Sequence, residues 1–262
     1  MLVSFLPIAL VAYIVGVFLA GLATVYHSDT ARGGASAVFV AAWLAHGGAV
    51  IQRGVSMGAF PLTNLGEYLL MLGWVIMTLH LALWFAGRVY AAGLVLPPLA
   101  GLACVAAMPL LASSATRDTP DGGVWFLIHT AISTLGMATL CVALAMSLIY
   151  LAKDRALKTG RTLRLLKRLP SLETCDRIGF RSLWIGFILL TFGIGTGVVM
   201  NEAIYNKFWV LGFKQIMPLA AWIVFAAVLV ARLKLGVRGR KSAYLTIAGV
   251  MLGLATVIGM TM

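Results

Sequence analysis

The sequence has little charge and few cysteines. Only 11% of its 262 residues are charged and 61% are hydrophobic, whereas a soluble domain is typically about a quarter charged. Acidic residues are especially scarce, with 8 Asp and Glu against 20 Lys and Arg. Several apolar runs exceed the roughly 18 residues that mark a transmembrane helix. These features exclude a soluble globular domain and indicate a polytopic membrane protein.

The three cysteines belong to no recognisable motif. Cys104 and Cys141 fall in apolar runs, Cys175 lies in a basic stretch, and neither CxxC nor CxxCH occurs. No disulfide framework is therefore expected, and the chain is not itself a c-type cytochrome. Glycine-rich nucleotide motifs, a G-x-S-x-G elbow and an HExxH zinc motif are also missing. Because no nucleophile constellation remains, we do not expect a stand-alone enzyme.

The apolar runs predict an all-α integral membrane protein, a polytopic bundle of eight transmembrane helices. Helices are expected because an open strand edge cannot satisfy its hydrogen bonds in lipid. The whole chain, residues 1–262, is interpreted as one transmembrane domain. The predicted spans are 2–25, 36–52, 64–86, 91–111, 124–151, 182–200, 215–232 and 242–261.

Basic residues predict the orientation of the chain. They concentrate in the loop 153–181 and after the seventh span, and cytoplasmic loops collect Lys and Arg. Both loops are thus predicted to be cytoplasmic, which puts both termini on the outer, periplasmic side and sixteen of the twenty basic residues inside. The net charge of +12 then reflects topology, and no nucleic-acid partner is expected. The stretch 153–170 is predicted to lie on anionic membrane lipid, and Ser171 with Glu173 to begin a helix after Pro170.

Polar side chains gather toward the predicted outer side of the early spans. His46 and Arg53 are seven residues apart and so share a helix face, while Asn64 and Glu67 open the third span. The helix dipole favours Glu67 at this position. Its carboxylate is also placed to pair with Arg53 across the turn at Pro61, which would be a structural role for both residues.

Further candidates lie at the outer ends of later spans. Ionisable residues within membrane spans are functional candidates by default, although a neutral histidine bonded to a neighbouring helix is an open alternative. Imidazoles beside aromatic rings suit haem iron, with arginine for the propionates. His27 and His80 are interpreted as structural. The predicted haem-binding set is His46, His129, Arg53, Trp125 and Trp209, with Asn64, Glu67, Asn201 and Glu202 as supporting polar residues.

Several segments resemble one family. The segment HGGAVIQRGVSMGAFPLTNLGEY (46–68) resembles the CcsA/ResC and HemX branch of the membrane cytochrome c assembly proteins, with its transmembrane histidine, arginine and polar helix start. The segment WFLIHTAISTLGMATL (125–140) is similar to the helix whose histidine, here His129, is the family's external haem ligand. Residues 169–197 and 231–250 resemble the HemX-like branch in particular.

The resemblance also implies residues that this sequence lacks. The family's tryptophan-rich loop is reduced to KFWVLGFKQ (207–215), which keeps Trp209. The second transmembrane histidine, expected near Val230–Arg232, and a second external histidine after the last span do not occur in the sequence. His46 and His129 are each left without the partner histidine that the family supplies.

The resemblance implies a haem-handling protein of cytochrome c biogenesis in the bacterial inner membrane. It would bind haem b and present it at the outer membrane face to apocytochrome c, beside a ResB-like subunit. The alternative is a HemX-type regulator of tetrapyrrole synthesis acting on glutamyl-tRNA reductase through the loop 153–181, which the reduced tryptophan loop favours. A small transporter or a structural subunit is the third possibility.

Overall fold

The computed structural model describes residues 5–58, 60–62, 64–86, 89–113, 123–159, 169–205 and 213–258. Within these ranges the chain forms eight α-helices and one 3-10 helix, without a strand. They are α1 (Phe5–Tyr26), α2 (Asp29–Met57), α3 (Leu65–Phe85), the 3-10 helix (Tyr90–Leu94), α4 (Leu96–Ser113), α5 (Gly123–Thr159), α6 (Leu172–Tyr205), α7 (Phe213–Lys234) and α8 (Arg240–Ile258). Seven helical segments are long and apolar enough to cross a membrane, and α8 has 19 residues. The prediction of an all-α polytopic membrane protein is confirmed.

Several helices are longer than the spans predicted for them. The predicted spans 36–52, 124–151 and 182–200 correspond to α2, α5 and α6, which extend well beyond them. The 37 residues of α5 measure about 55 Å, whereas the hydrocarbon core is about 30 Å thick. An apolar run reports only the part of a helix that lies in lipid, so it underestimates a helix that continues into water. Consequently Lys153–Thr159, predicted to lie on the membrane surface, continues α5, and 160–168 lie outside the described residues.

Side-chain caps explain where several helices begin and end. The Ser28 side chain accepts a hydrogen bond from the Ala31 N–H at the start of α2. This helix ends at Gly58, whose φ of 63° is a left-handed conformation that glycine adopts without strain. Ser171 Oγ accepts from the Thr174 N–H at 3.1 Å, which confirms the helix start predicted after the proline.

The chain divides into two compact units. The described residues within 1–115 and 149–175 form unit 1, in which α1 packs along α2, α3 packs along α4, and α2 also contacts α3. Its core is built from large side chains with almost no exposure: Tyr13, Phe39, Leu70, Ile76, Met77, Trp84 and Leu96.

Unit 2 contains the described residues within 116–148 and 176–262. Here α6 packs against α5 through glycines, and α7 packs along α8. At Gly249 a Cβ atom would come within 2.5 Å of the Phe225 ring. Glycine at this position therefore lets α8 approach α7 closely. The core side chains of this unit are Met137, Leu140, Met146, Leu183, Phe225 and Leu229.

Many large apolar side chains face outward. Val55, for example, is 77% exposed, and a bilayer is the solvent that such surfaces require. Others of this kind are Ile14, Phe18, Leu102, Phe192 and Val230. The outward faces thus agree with a chain that sits in lipid.

The orientation remains a prediction that cysteine labelling can test. Lys158, at the end of α5, keeps 57% of its side chain exposed, and Val124, at the start of the same helix, is 63% exposed. The native cysteines are all buried and should stay unlabelled. In right-side-out vesicles a membrane-impermeant maleimide should label the Val124→Cys variant. The Lys158→Cys variant should be labelled only after permeabilisation, and the reverse pattern would contradict the predicted orientation.

Candidate functional site

His129 has one ring nitrogen bound and the other free. It lies in the second turn of α5, where its Nδ1 is 2.9 Å from the Gly193 carbonyl oxygen and 3.4 Å from Thr196 Oγ1. A carbonyl oxygen only accepts, so Nδ1 carries the hydrogen and donates it. Nε2 is then the nitrogen with a lone pair, and no hydrogen bond engages it within the described residues. Metal-ligating histidines adopt this arrangement, in which the second ring nitrogen donates to a carbonyl.

Aromatic and amide side chains lie near His129 along the helices. Trp125 is one turn before it on α5, on the same side of the helix, and is 42% exposed. The antiparallel α5–α6 contact sets His129 against Gly197, and continuing this register puts Asn201 level with Trp125. Trp209, predicted to line the haem, lies outside the described residues.

Glu202 is not brought to His129. It comes nine residues after Gly193 and therefore lies on the opposite side of α6 from the histidine contact. In the described part of the chain its Oε2 atom is buried without a hydrogen-bond partner. Its supporting role at the predicted site stays a prediction.

His46, in unit 1, has a different environment because its ring is enclosed. The residue is completely buried. Its Nδ1 is 2.7 Å from the Tyr13 hydroxyl, and Cys104 Sγ lies 3.5 Å from Nε2. A Cβ atom at Gly73 would be 3.0 Å from the ring carbon Cε1. Helices α1, α3 and α4 thus close around the imidazole.

This packing leaves no room for haem beside His46. Iron at Nε2 would require that Cys104 and the helix that carries it, α4, move away from that side of the ring. We derive no chemistry through this residue. Its assignment as a haem ligand stays a prediction.

Arg53 and Glu67 form a buried ion pair. Arg53 Nε is 2.9 Å from Glu67 Oε1, and the two side chains are 9% and 0% exposed. The pairing predicted from the sequence is confirmed. The Asn64 side chain accepts from the Glu67 N–H at 3.0 Å and caps α3. Because its Nε is bound to Glu67, the predicted contact of Arg53 with a haem propionate stays a prediction.

Arg232 occupies the region where the family's second transmembrane histidine was expected. It donates to both carboxylate oxygens of Asp176 and lies over the Phe180 ring, 4.0 Å from its centre. It is also 3.5 Å from Ser242 Oγ. The position thus joins α6, α7 and α8 by a forked ion pair and carries no iron ligand.

Within the described residues, His80 is buried without the hydrogen bonds that a buried histidine normally makes. It is completely buried in α3, and neither ring nitrogen has a hydrogen-bond partner in the described part of the chain. The ring packs edge-on against Phe39, at 4.8 Å between centroids, and Trp84, at 5.6 Å. The interpretation of His80 as structural stays a prediction, and the lack of hydrogen bonds to its nitrogens in the described residues is a feature that the sequence does not reveal.

Comparison with known proteins places most of the chain in one family. The family described as "Cytochrome C assembly protein" matches residues 62–260. The chain is 29% identical over 245 residues to the cytochrome c biogenesis protein CcsA of Gloeothece citriformis, covering 75% of each chain. It is equally similar to CcsA of Microcystis aeruginosa and 27% identical to that of Guillardia theta, of which 72% is covered. The HemX-like branch gains no support from these comparisons.

A solved structure shares the fold. Over 97% of this chain, the cytochrome c haem lyase CcmF superposes with a TM-score of 0.67 at 18% sequence identity. This chain spans 48% of that longer chain. His46 and Arg53 precede the family match, whereas His129, Gly193 and Thr196 lie within it.

The buried ion pair between Arg53 and Glu67 should contribute strongly to the stability of unit 1. Removing one member, in Arg53→Met or Glu67→Gln, leaves a buried group without its partner and should lower the free energy of unfolding by roughly 3–5 kcal/mol. The double variant should lose less than the sum of both. Unfolding of each variant in mixed micelles measures its free energy of unfolding. Asp29→Asn, which weakens the pair of Arg32 with a carboxylate that is 89% exposed, is the control and should cost about 0–1 kcal/mol. Additive losses at Arg53 and Glu67 would contradict coupling.

His80→Leu should leave the protein as stable as the wild type, or more stable by about 1 kcal/mol, because it removes two unsatisfied buried nitrogens. His46→Leu is the matched control and should be destabilising, since the Tyr13 hydroxyl loses its partner. Thermal unfolding of both variants in the same detergent compares them. A marked loss of stability in His80→Leu would show that the imidazole has a partner in the membrane.

Proposed function

The chain belongs to the cytochrome c assembly protein family, and we propose that it handles haem in cytochrome c biogenesis by binding it at His129. The observation that carries this proposal is the hydrogen bond from Nδ1 to the Gly193 carbonyl, which leaves Nε2 as the ligating nitrogen. On the predicted orientation the residue lies near the outer face of a bacterial inner membrane. Haem would be presented there to apocytochrome c.

The residues around His129 fit this task. The Gly193 carbonyl holds the proton of the neutral imidazole on Nδ1, which places the lone pair on Nε2. Trp125, one turn away and partly exposed, offers an aromatic wall for a planar ligand. When bound, haem supplies the chemistry, which is thioether formation with the cysteine thiols of the acceptor.

The bound group is proposed to be haem b. Because the sequence contains no CxxCH, this chain has no motif for attaching haem covalently. His129 is the residue that would hold it. A ResB-like subunit and the apocytochrome are the proposed partners that would meet the haem at this site.

The absorption spectrum of the purified protein tests the proposal. The full chain is purified in detergent after expression with haem supply, alongside His129→Ala and His46→Ala. His27→Ala is the control, because His27 is an exposed residue in the link between α1 and α2. We expect a Soret band in the wild type that persists in His27→Ala and is lost in His129→Ala. Added imidazole should restore it by replacing the missing ligand.

Two outcomes would overturn the assignment. If the wild type has no Soret band although its thermal transition is intact, the isolated chain does not carry haem. If the band is lost in His46→Ala and retained in His129→Ala, the ligand is His46, and the packing around that residue opens to admit haem.

A further inference from the structure

We infer that Gly197 is a positioning residue that holds the His129 ring in place and decides which of its nitrogens binds a ligand. A Cβ atom at Gly197 would lie 3.0 Å from Cε1 of His129, 3.2 Å from Nδ1 and 3.8 Å from Nε2. The imidazole therefore rests directly on the backbone of α6, in space that only glycine leaves open. The inference rests on the proposed function for its consequence in haem binding, although its structural part can be tested without haem.

The contact at Gly197 differs from the other glycine contacts between α5 and α6. At Gly186 a Cβ atom would meet the Leu140 side chain at 2.6 Å, so that glycine serves apolar packing. At Gly193 it would meet Ser133 Oγ at 2.9 Å. Only at Gly197, among the described glycines of this contact, is the facing group an imidazole, the side chain that haem iron takes as a ligand. Gly193 and Gly197 form a G-x-x-x-G pair, a pattern that lets helices pack closely, and the contact with His129 gives its second glycine a further role.

The glycine and the carbonyl act together on one ring. Gly193 and Gly197 are one helical turn apart on α6, so their positions relative to each other are fixed by the helix. Gly197 lets the ring approach closely enough for Nδ1 to reach the Gly193 oxygen at 2.9 Å. A methyl group at 197 would be tight against the ring at 3.0 Å, so the ring has to shift by a few tenths of an ångström. We expect this shift to lengthen and weaken the bond that keeps the proton on Nδ1.

Loss of this bond changes the ligand as well as the packing. Without the carbonyl, neutral imidazole redistributes its proton between the two nitrogens, and the fraction with a free Nε2 lone pair falls. Removing the outer-shell partner of a ligating histidine typically costs about 10- to 100-fold in metal affinity. Gly197→Ala is therefore expected to weaken haem binding by this factor even where the helices still pack.

Two glycines of the same helix provide matched controls. Gly195→Ala adds the same methyl group where nothing lies within 4 Å and should change nothing. Gly186→Ala disturbs the α5–α6 contact at Leu140, several turns from the histidine. The Gly186→Ala variant should be less thermally stable than the wild type. Its folded form should keep the same His129 tautomer and the same haem affinity.

The experiment combines two readouts on the full chain in detergent. Nitrogen NMR of protein labelled with ¹⁵N-histidine reports the tautomer in the absence of haem, with His129→Ala identifying the signal. Haem titration followed at the Soret band reports affinity. We expect the Nδ1–H tautomer in the wild type, Gly195→Ala and Gly186→Ala, and a mixture of tautomers with 10- to 100-fold weaker haem binding in Gly197→Ala.

The outcomes separate this inference from the proposed function. An unchanged tautomer in Gly197→Ala overturns the inference, even if the wild type binds haem through His129. A changed tautomer in a protein that binds no haem supports the positioning role and overturns the proposed function. Equal effects of Gly186→Ala and Gly197→Ala on the tautomer would reduce Gly197 to a packing residue and also overturn the inference.

Discussion

Polar groups inside a bilayer must find their hydrogen-bond partners within the protein, and the rest of this structure depends on that requirement. In unit 1 the antiparallel helices α2 and α3 meet this requirement through side-chain hydrogen bonds to each other, and all of these bonds fit one alignment of the two helices. The polar links between them are Ser36–Trp84, Trp43–Thr78 and Arg53–Glu67. From Ser36 to Arg53 these links cover about 26 Å of helix, close to the thickness of the hydrocarbon core. Each link removes a polar group from lipid and fixes the sliding position of one helix on the other.

The three histidines within helices meet the same requirement to different degrees, because their ring nitrogens have different partners. His46 is occupied by Tyr13 and Cys104, so its ring behaves as a member of the core. His80 has neither nitrogen bonded in the described residues, which costs stability. His129 has one nitrogen held by a backbone carbonyl and one that no hydrogen bond engages in the described part of the chain. Only the last state combines a fixed ring with an available lone pair, which is what a ligand to iron needs.

The sequence predicts features that arise from local pattern or charge. Apolar runs predicted the helices, and the opposite charges of Arg53 and Glu67 on either side of Pro61 predicted their ion pair. It could not predict the partner of His129, because a backbone carbonyl has no side-chain signature and Gly193 is 64 residues away. The ends of α5 and α6 were missed because charged residues outside the bilayer continue a helix as readily as apolar ones.

A protein that passes haem on has to hold it without trapping it. Two histidine ligands from one chain would both have to dissociate before transfer, whereas a single ligand requires one bond to break. Near Val230–Arg232, where the family's second transmembrane histidine was expected, Arg232 forms an ion pair instead. In the proposed site, affinity would depend on the quality of the bond that His129 makes. The Gly193 carbonyl would strengthen that bond by making His129 a better electron donor, and the open space at Gly197 brings the ring within reach of the carbonyl.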